Sequence, residues 1–406
     1  MNCIELYAGV GGLAMGIGLA GFDPLAVVEW DKSACDTLRE NQLLGYPLIS
    51  GWPLRQADVR GFDWSNISEK IDLIAGGPPC QPFSMGGKHL AHDDGRDMFP
   101  ATVDIVRRLR PQSFIFENVK GLTRSTFANY YQYILLQFEF PDVVRKRKED
   151  WFEHLLRLQK ERTSGRLHGQ GLTYNVVPTL VNAADYGVAQ KRERVFIVGF
   201  RSDLGIEWSF PRPTHSRNAL LFEQWVTSEY WDRHHISRRV RGSLPRQFEA
   251  HVQRLNDRLI AVDELPWRTV RDAIAGLPDP ESKAARDFPD HGFQSGARTY
   301  SGHTGSALDQ PAKTLKAGDH GVPGGENMMI MDTGEVRYFT VRESARLQTF
   351  PDGFRFRGSW TETMRQLGNA VPVVLAQRVA ASVAEKLIVA KHKSMIRERN
   401  GMLGVA

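Results

Sequence analysis

Five short apolar runs frame this chain. Cys3–Tyr7, Leu25–Glu29, Ile71–Ala75, Ser113–Phe116 and Val195–Phe200 are rich in aliphatic and aromatic residues and are followed by glycine, proline or charged positions. Runs that do not alternate with polar residues predict strands covered on both faces, as in a parallel sheet. Between them the apolar positions change to helical spacing: Leu13, Ile17 and Ala20 before Gly21, then Val103, Val106 and Leu109 before Pro111. Near the C-terminus Leu375, Val379, Val383 and Leu387 mark one face of a further helix. The alternation predicts an α/β fold, a doubly wound sheet with helices on both faces. The pattern fades over Arg201–Tyr338 and returns at Thr340.

In such sheets ligands collect where strands end, so the residues after each run carry the candidate chemistry. The first run leads into Gly9-Val10-Gly11-Gly12, and the second ends at Glu29. Glycines let a backbone approach a ligand, and an acid at the next strand end can accept from ribose hydroxyls. Gly9-x-Gly11-x-x-Ala14 fits a nicotinamide dinucleotide as well as S-adenosylmethionine. The third run leads into Gly76-Gly77-Pro78-Pro79-Cys80-Gln81-Pro82. Prolines fix φ and restrict the residue before them, so Cys80 sits in a stiff loop. A free cysteine is most often a small buried hydrophobe, but a thiolate held at a strand end is a candidate nucleophile. Glu117 follows the fourth run, where an acid can be a helix cap, an ion-pair partner or a catalytic group. Arg192 and Arg194 flank Glu193 before the fifth run, and alternation puts both guanidinium groups on one face.

A net charge of +5 over 406 residues permits a polyanionic partner without establishing one. Cys3, Cys35 and Cys80 are the whole cysteine complement, with no metal-ligand spacing, so neither a disulfide scaffold nor a structural zinc is expected. The N-terminus has neither a basic region nor a long apolar run, so no membrane association and a cytoplasmic location are expected. Pro211–Ile260 holds nine arginines against five acids, interspersed with Trp225, Tyr230 and Trp231, a mixture suited to phosphate contacts or to an ordinary basic surface. Residues 141–171, with eight basic and five acidic residues around a helical pattern from Trp151 to Leu158, read as a solvated surface helix.

Taken in order, these stretches resemble the DNA (cytosine-5) methyltransferases of bacterial or phage type. Ile4-Glu5-Leu6-Tyr7-Ala8-Gly9-x-Gly11-Gly12, Glu29-Trp30-Asp31, Asp58-Val59, Pro78-Pro79-Cys80-Gln81, Arg96-Asp97-Met98-Phe99, Glu117-Asn118-Val119, Asn182…Gln190-x-Arg192-x-Arg194, Thr340–Pro351 and Gln366-Leu367-Gly368-Asn369-Ala370-Val371-Pro372 follow the family's sequence of motifs. Glu5 and Tyr7 stand where the family usually has Asp and Phe. The resemblance implies an S-adenosylmethionine-dependent methyltransferase fold, a Rossmann-like mixed sheet, acting on double-stranded DNA. It implies Cys80 as the attacking thiol, Glu117 at ring nitrogen 3 of the target cytosine, and Arg192 and Arg194 at its carbonyl oxygen. Glu5, Tyr7, Ala8, Gly9, Gly11, Gly12, Glu29, Trp30, Asp58, Val59, Pro78, Met98, Asn369 and Ala370 would line the cofactor. Pro79, Ser84, Gln190, Thr314 and Leu315 would face the substrate.

The domain division so implied is a catalytic and cofactor-binding domain over 1–204, completed by 366–390. A target-recognition domain and hinge would span 205–365, and a basic, frayed tail 391–406. The expected protein is a monomer, with a cognate restriction endonuclease as functional partner. A tRNA cytosine-5 methyltransferase of the same fold, a catalytically silent DNA-binding protein and, on the early glycines alone, an NAD-dependent oxidoreductase are the alternatives at this point.

Overall fold

The computed structural model describes residues 1–79, 97–165, 171–301, 304–317 and 327–403, with side chains described as far as 396. Seven strands form the central sheet: β1 (Asn2–Leu6), β2 (Asp23–Glu29), β3 (Leu54–Gln56), β4 (Leu73–Gly76), β5 (Ser113–Val119), β6 (Tyr174–Asn182) and β7 (Glu193–Arg201). Their order is β3-β2-β1-β4-β5-β7-β6. Neighbours are parallel from β3 to β5, whereas β7 runs antiparallel to both β5 and β6. The order reverses between β1 and β4, so the loops leaving those two strands open the crevice where such folds bind ligands.

Each central strand is covered on both faces, as the unbroken apolar runs predict. Ile4, Leu6, Ile74, Phe114, Phe116 and Ile197 pack with Phe99, Val103 and Val106 of the helix Phe99–Leu109 and with Tyr133 and Phe138 of the helix Ala128–Glu139. Their chain neighbours Cys3, Leu73, Ala75, Ile115, Val198 and Phe200 point the other way, onto Leu13 and Ile17 and onto Leu375, Val379, Val383 and Leu387. Two-residue alternation within each strand thus feeds two cores.

The C-terminal helix closes this second core. It runs from Val373 to Leu403, so the expected frayed tail is helical over most of its length. It lies so close to the helix Gly12–Leu19 that a Cβ on Gly16 would meet the Cβ of Ala376 and come within 2.6 Å of the Gln377 nitrogen.

A third apolar cluster joins Ala8, Val10, Leu38 and Trp52 to Val270, Leu308, Leu315, Met329, Phe339, Leu347, Phe350 and Leu367. The later part of the variable half therefore shares a core with the cofactor end of the sheet. A smaller helical unit has its own contacts: Leu220, Tyr230 and Trp231 in one group, Leu221, Val252 and Leu255 in another. Residues 141–165 carry a helix, Trp151–Ser164, started by a capping box between Asp150 and Glu153. One face is buried through His154, Leu155 and Leu158, while Phe152 and Leu156 stay exposed. The helix is thus docked along one side rather than solvated all round.

At Gly16 the atoms in the way belong partly to backbone, so they cannot rotate aside. Gly16→Ala should lower the unfolding free energy by about 1–3 kcal/mol. A Cβ on Gly18 of the same helix meets nothing within 4 Å, so Gly18→Ala should raise it by roughly 0.5–1 kcal/mol. Urea unfolding midpoints check both signs, and equal effects at the two positions would remove the close-packing argument.

Candidate active site

The glycine loop after β1 is shaped by left-handed backbone at Tyr7 (φ 55°), Gly9 (φ 54°) and Gly11 (φ 81°). A side chain on Gly11 would run into the ring of Trp52, whereas one on Gly9 would meet open space. Gly9 therefore marks the side from which a ligand can approach. Its N–H donates to Glu29 Oε2 at 2.7 Å, and Asp31 N–H donates to Glu29 Oε1 at the same distance. A carboxylate has about four lone-pair sites, more than these backbone donors fill, so Glu29 both fixes the loop and can accept from a ligand hydroxyl. Trp30 beside it is 69 % exposed, an open flat face next to the loop.

Tyr7 uses the hydroxyl that a phenylalanine would lack. It bonds Thr102 Oγ1 at 3.0 Å and donates to the carbonyl of Met98, tying the glycine loop to the start of the helix Phe99–Leu109. Met98 and Val59 are buried in the first core. Asp58 is paired with Arg60 at 2.6 Å on the loop after β3. Ala8 and Ala370 are buried, and Asn369 is exposed at the end of the helix Trp360–Asn369.

Glu5 is 2 % exposed, and neither carboxylate oxygen has a partner among the described residues. Burial alone pushes its carboxyl well above the usual carboxylate range. A buried acid left bare is costly unless something cationic satisfies it. S-adenosylmethionine carries a sulfonium and an α-amino group, so the donor set fits it. Glu5, Gly9, Glu29 and Trp30 are the residues that would hold it.

The second half of the site comes from β4, β5 and β7. Their register places Glu117 opposite Phe196, with Arg194 two residues before Phe196 on the same face. Arg194 Nε meets Glu117 Oε1 at 2.8 Å, and both side chains are nearly buried. Burial raises the Glu117 carboxyl above its ordinary range, while the charges of Arg194 and Arg192 pull it back. Glu117 therefore holds a proton more readily than a surface glutamate. Asn118 Nδ2 donates to the carbonyl of Pro78 at 3.0 Å, and a Cβ on Gly77 would lie 3.5 Å from Glu117 Oε2. The proline loop is thus pinned against the acid as far as exposed Pro79. Cys80 and Ser84 lie outside the described residues, as do Gln81, His89, His92 and Arg96. The amide of Asn118 is a contact that the strand pattern alone did not single out. Its signal was an Asn directly after the acid, on the opposite side of an extended strand.

The remaining expected substrate residues fall elsewhere. Arg192 is completely buried and its terminal nitrogens donate to the carbonyls of Leu315, Gly368 and Ala370 at 3.2, 2.7 and 3.0 Å. The expectation that it faces the pyrimidine is corrected, because those donors are committed to backbone. Gln190 is also fully buried, its Oε1 accepting from Leu315 N–H at 3.0 Å. Leu315 is buried, and Thr314 Oγ1 donates to the Lys191 carbonyl at 2.7 Å. Gln190 and Leu315, both fully buried, therefore join two chain segments to one another, a correction to their expected substrate-facing role, while Thr314 joins the same segments and stays partly exposed. Among the described residues no cluster of metal-ligand side chains is found, and no helix is long and apolar enough to cross a membrane.

The sheet order, with its reversed seventh strand, and the ligand crevice define the fold of the S-adenosylmethionine-dependent methyltransferases. The sequence model of the C-5 cytosine-specific DNA methylases matches residues 1–142 and 163–385, and the chain belongs to that family: it is a DNA (cytosine-5) methyltransferase. Type II methyltransferase M.PspPI of a Psychrobacter strain is 30 % identical over 95 % of this chain and 79 % of its own length. Type II methyltransferase M.NgoMIV of Neisseria gonorrhoeae is 28 % identical over 95 % and 97 %. Among solved structures, an E. coli prophage protein described as a DNA modification methyltransferase superposes with a TM-score of 0.56 at 21 % identity, covering 95 % of this chain and 99 % of that one. Dnmt2 methyltransferase of S. pombe does so at 0.53 and 16 %, covering 95 % and 98 %. Both of these structural likenesses are of fold.

The bare carboxyl of Glu5 gives a pH signature. Its value is raised in the folded protein, so its stabilising contribution is complete below the ordinary glutamate range and is lost as the pH climbs through the raised value. The melting temperature of cofactor-free protein should therefore fall from mildly acidic to alkaline pH. Glu5→Gln should flatten part of that slope. Glu117 acts in the same direction but is present in both proteins, so the difference between the curves isolates Glu5; parallel curves would contradict the assignment.

Proposed function

We propose that this enzyme methylates carbon 5 of a cytosine flipped out of a specific duplex DNA sequence, through a covalent adduct with Cys80. The observation that carries the reading is the buried Glu117–Arg194 pair at 2.8 Å, set against the Pro78 loop that leads into Cys80. A stacked base covers its own ring faces, so attack on carbon 6 requires extrusion. The Cys80 thiolate would form a bond to carbon 6, moving the carbon 5–carbon 6 electron pair toward carbon 5. Glu117, with its raised affinity for a proton, would hold or protonate ring nitrogen 3 as charge develops there. Arg194 would orient Glu117 and donate to the neighbouring carbonyl oxygen. When bound, S-adenosylmethionine supplies the methyl group. Loss of the carbon 5 proton and cleavage of the sulfur–carbon bond would then release Cys80.

The basic helical unit within 211–260 and the exposed positions of the 313–316 segment are the surface offered to DNA, with recognition assigned to 205–365. We assign the glycine-rich stretch His320–Asn327 to recognition loops; Asn327 is its only described residue. The relatives' description as Type II methyltransferases supports a modification role beside a restriction endonuclease; that the enzyme acts as a monomer is part of the proposal.

Bisulfite sequencing of DNA from an expressing strain should show methylated cytosines in one short sequence context. Unmodified DNA together with methylated tRNA would shift the reading to a tRNA enzyme of the same fold. Cys80→Ala should keep cofactor binding and transfer no methyl group, while Glu117→Gln should slow transfer by about 10²–10⁴-fold. Sustained turnover by Cys80→Ala would end the covalent mechanism.

A further inference from the structure

Three chain segments from different parts of the molecule meet around one buried cation. Residues 189–192 pair with the segment at 312: Ala312 N–H donates to Ala189 O at 2.9 Å, and Lys191 N–H to Ala312 O at 2.8 Å. Thr314 and Gln190 add the side-chain bonds already described. The third segment is the turn at Gly368–Ala370. It comes so close that a Cβ on Gly368 would lie 2.5 Å from the Lys316 carbonyl carbon and 2.6 Å from Ala317 Cα. Arg192 spans all three segments, holding the Leu315, Gly368 and Ala370 carbonyls.

A buried cation is strongly unfavourable unless it is neutralised or fully bonded. Arg192 makes no hydrogen bond to a carboxylate among the described residues; burial and the like charge of Arg194 work against its charged form, and Glu117 offsets them only in part. Its Nε and the Nε2 of Gln190 have no partner among the described residues. For packing alone, an apolar side chain of similar volume would serve at least as well. What a guanidinium adds is a fork that fixes several carbonyls at once. Those carbonyls belong to two functions. Leu315 lies in the half assigned to DNA. Ala370 leads directly to Val371, whose carbonyl abuts Gly12 of the cofactor loop so closely that Gly12 could carry no Cβ.

We propose that Arg192 is a positioning residue that couples DNA engagement to cofactor binding, by clamping the 312–317 segment to the turn that backs the glycine loop. This rests on the functional reading above. Linkage requires that each ligand then tighten the other by the same factor.

The test measures binding of S-adenosylhomocysteine, the demethylated cofactor, with and without saturating sheared, unmethylated bacterial DNA. Wild-type protein should bind it at least about 5-fold more tightly with DNA, the lower end of ordinary coupling. Arg192→Lys, which keeps the charge and loses the fork, should reduce that factor below roughly 2-fold while changing the DNA-free affinity less than the coupling. Cofactor KM at saturating DNA should rise more than kcat falls. Thr314→Val loosens the same clamp from its exposed side and should reduce the factor in the same direction; it carries the test if Arg192→Lys does not fold. A wild-type factor near one, or a wild-type factor retained by the folded variants, overturns the inference. Wild-type protein that binds both ligands but transfers no methyl group overturns the functional reading instead and leaves the linkage measurable.

Discussion

The antiparallel seam between β5 and β7 is the constraint on which the site depends. Had β7 entered the sheet parallel, its N-terminal end would lie at the opposite edge from the C-terminal end of β5. Reversal brings Arg194, at the start of β7, beside Glu117, near the end of β5. The same register sets Lys120 against Glu193, at 2.8 Å, on the solvent side. One pair is exposed and screened, contributing little. The other is buried, where each partner would be costly without its mate. The buried pair therefore fixes the acid's position and shifts its proton affinity at once.

That seam is stable because of what covers it. Phe114 and Phe116 stack at 5.2 Å on one face, with Phe138 against both, while Ile115 between them faces the C-terminal helix. Gly199 fits the same logic from β7: a Cβ there would collide with the ring of Phe114. Tight packing below Glu117 leaves its carboxylate few places to go, which is what the proposed role at one ring atom requires.

Five of the seven strands were legible because a strand buried on both faces reads as an unbroken apolar run; the structure moves their ends by one to three residues, and β3 and β6, with more exposed positions, were not read. Glu117 and Arg194 stood out because each is a charged residue flanking an apolar run, Glu117 after the run in β5 and Arg194 before the run in β7. Arg192 and Gln190 were misplaced for a physical reason. Polar side chains in an extended segment suggest exposure, and local sequence does not reveal that residues 312–317 and 368–370 fold over them. Gly368 and Gly12 were the available signals, since a glycine at a helix end often records close backbone approach. The helical unit between 217 and 262 stayed illegible because it is built from pieces of four to eleven residues, too short for a period to emerge.

Residues 143–162 lie outside the family match, yet they are bound into the cofactor side of the molecule. The His154 ring bonds the Tyr133 hydroxyl at 2.9 Å and the Val143 carbonyl at 2.7 Å, and Trp151 packs on Tyr130 and Tyr133. A cavity of about 210 Å³ remains between this insertion and Pro100, Val103, Asp104 and Arg107. Those four residues share one face of their helix, and Thr102, which holds Tyr7, projects from the opposite face. The insertion therefore backs the helix that positions the glycine loop. A segment the family does not require stiffens the wall that the chemistry does.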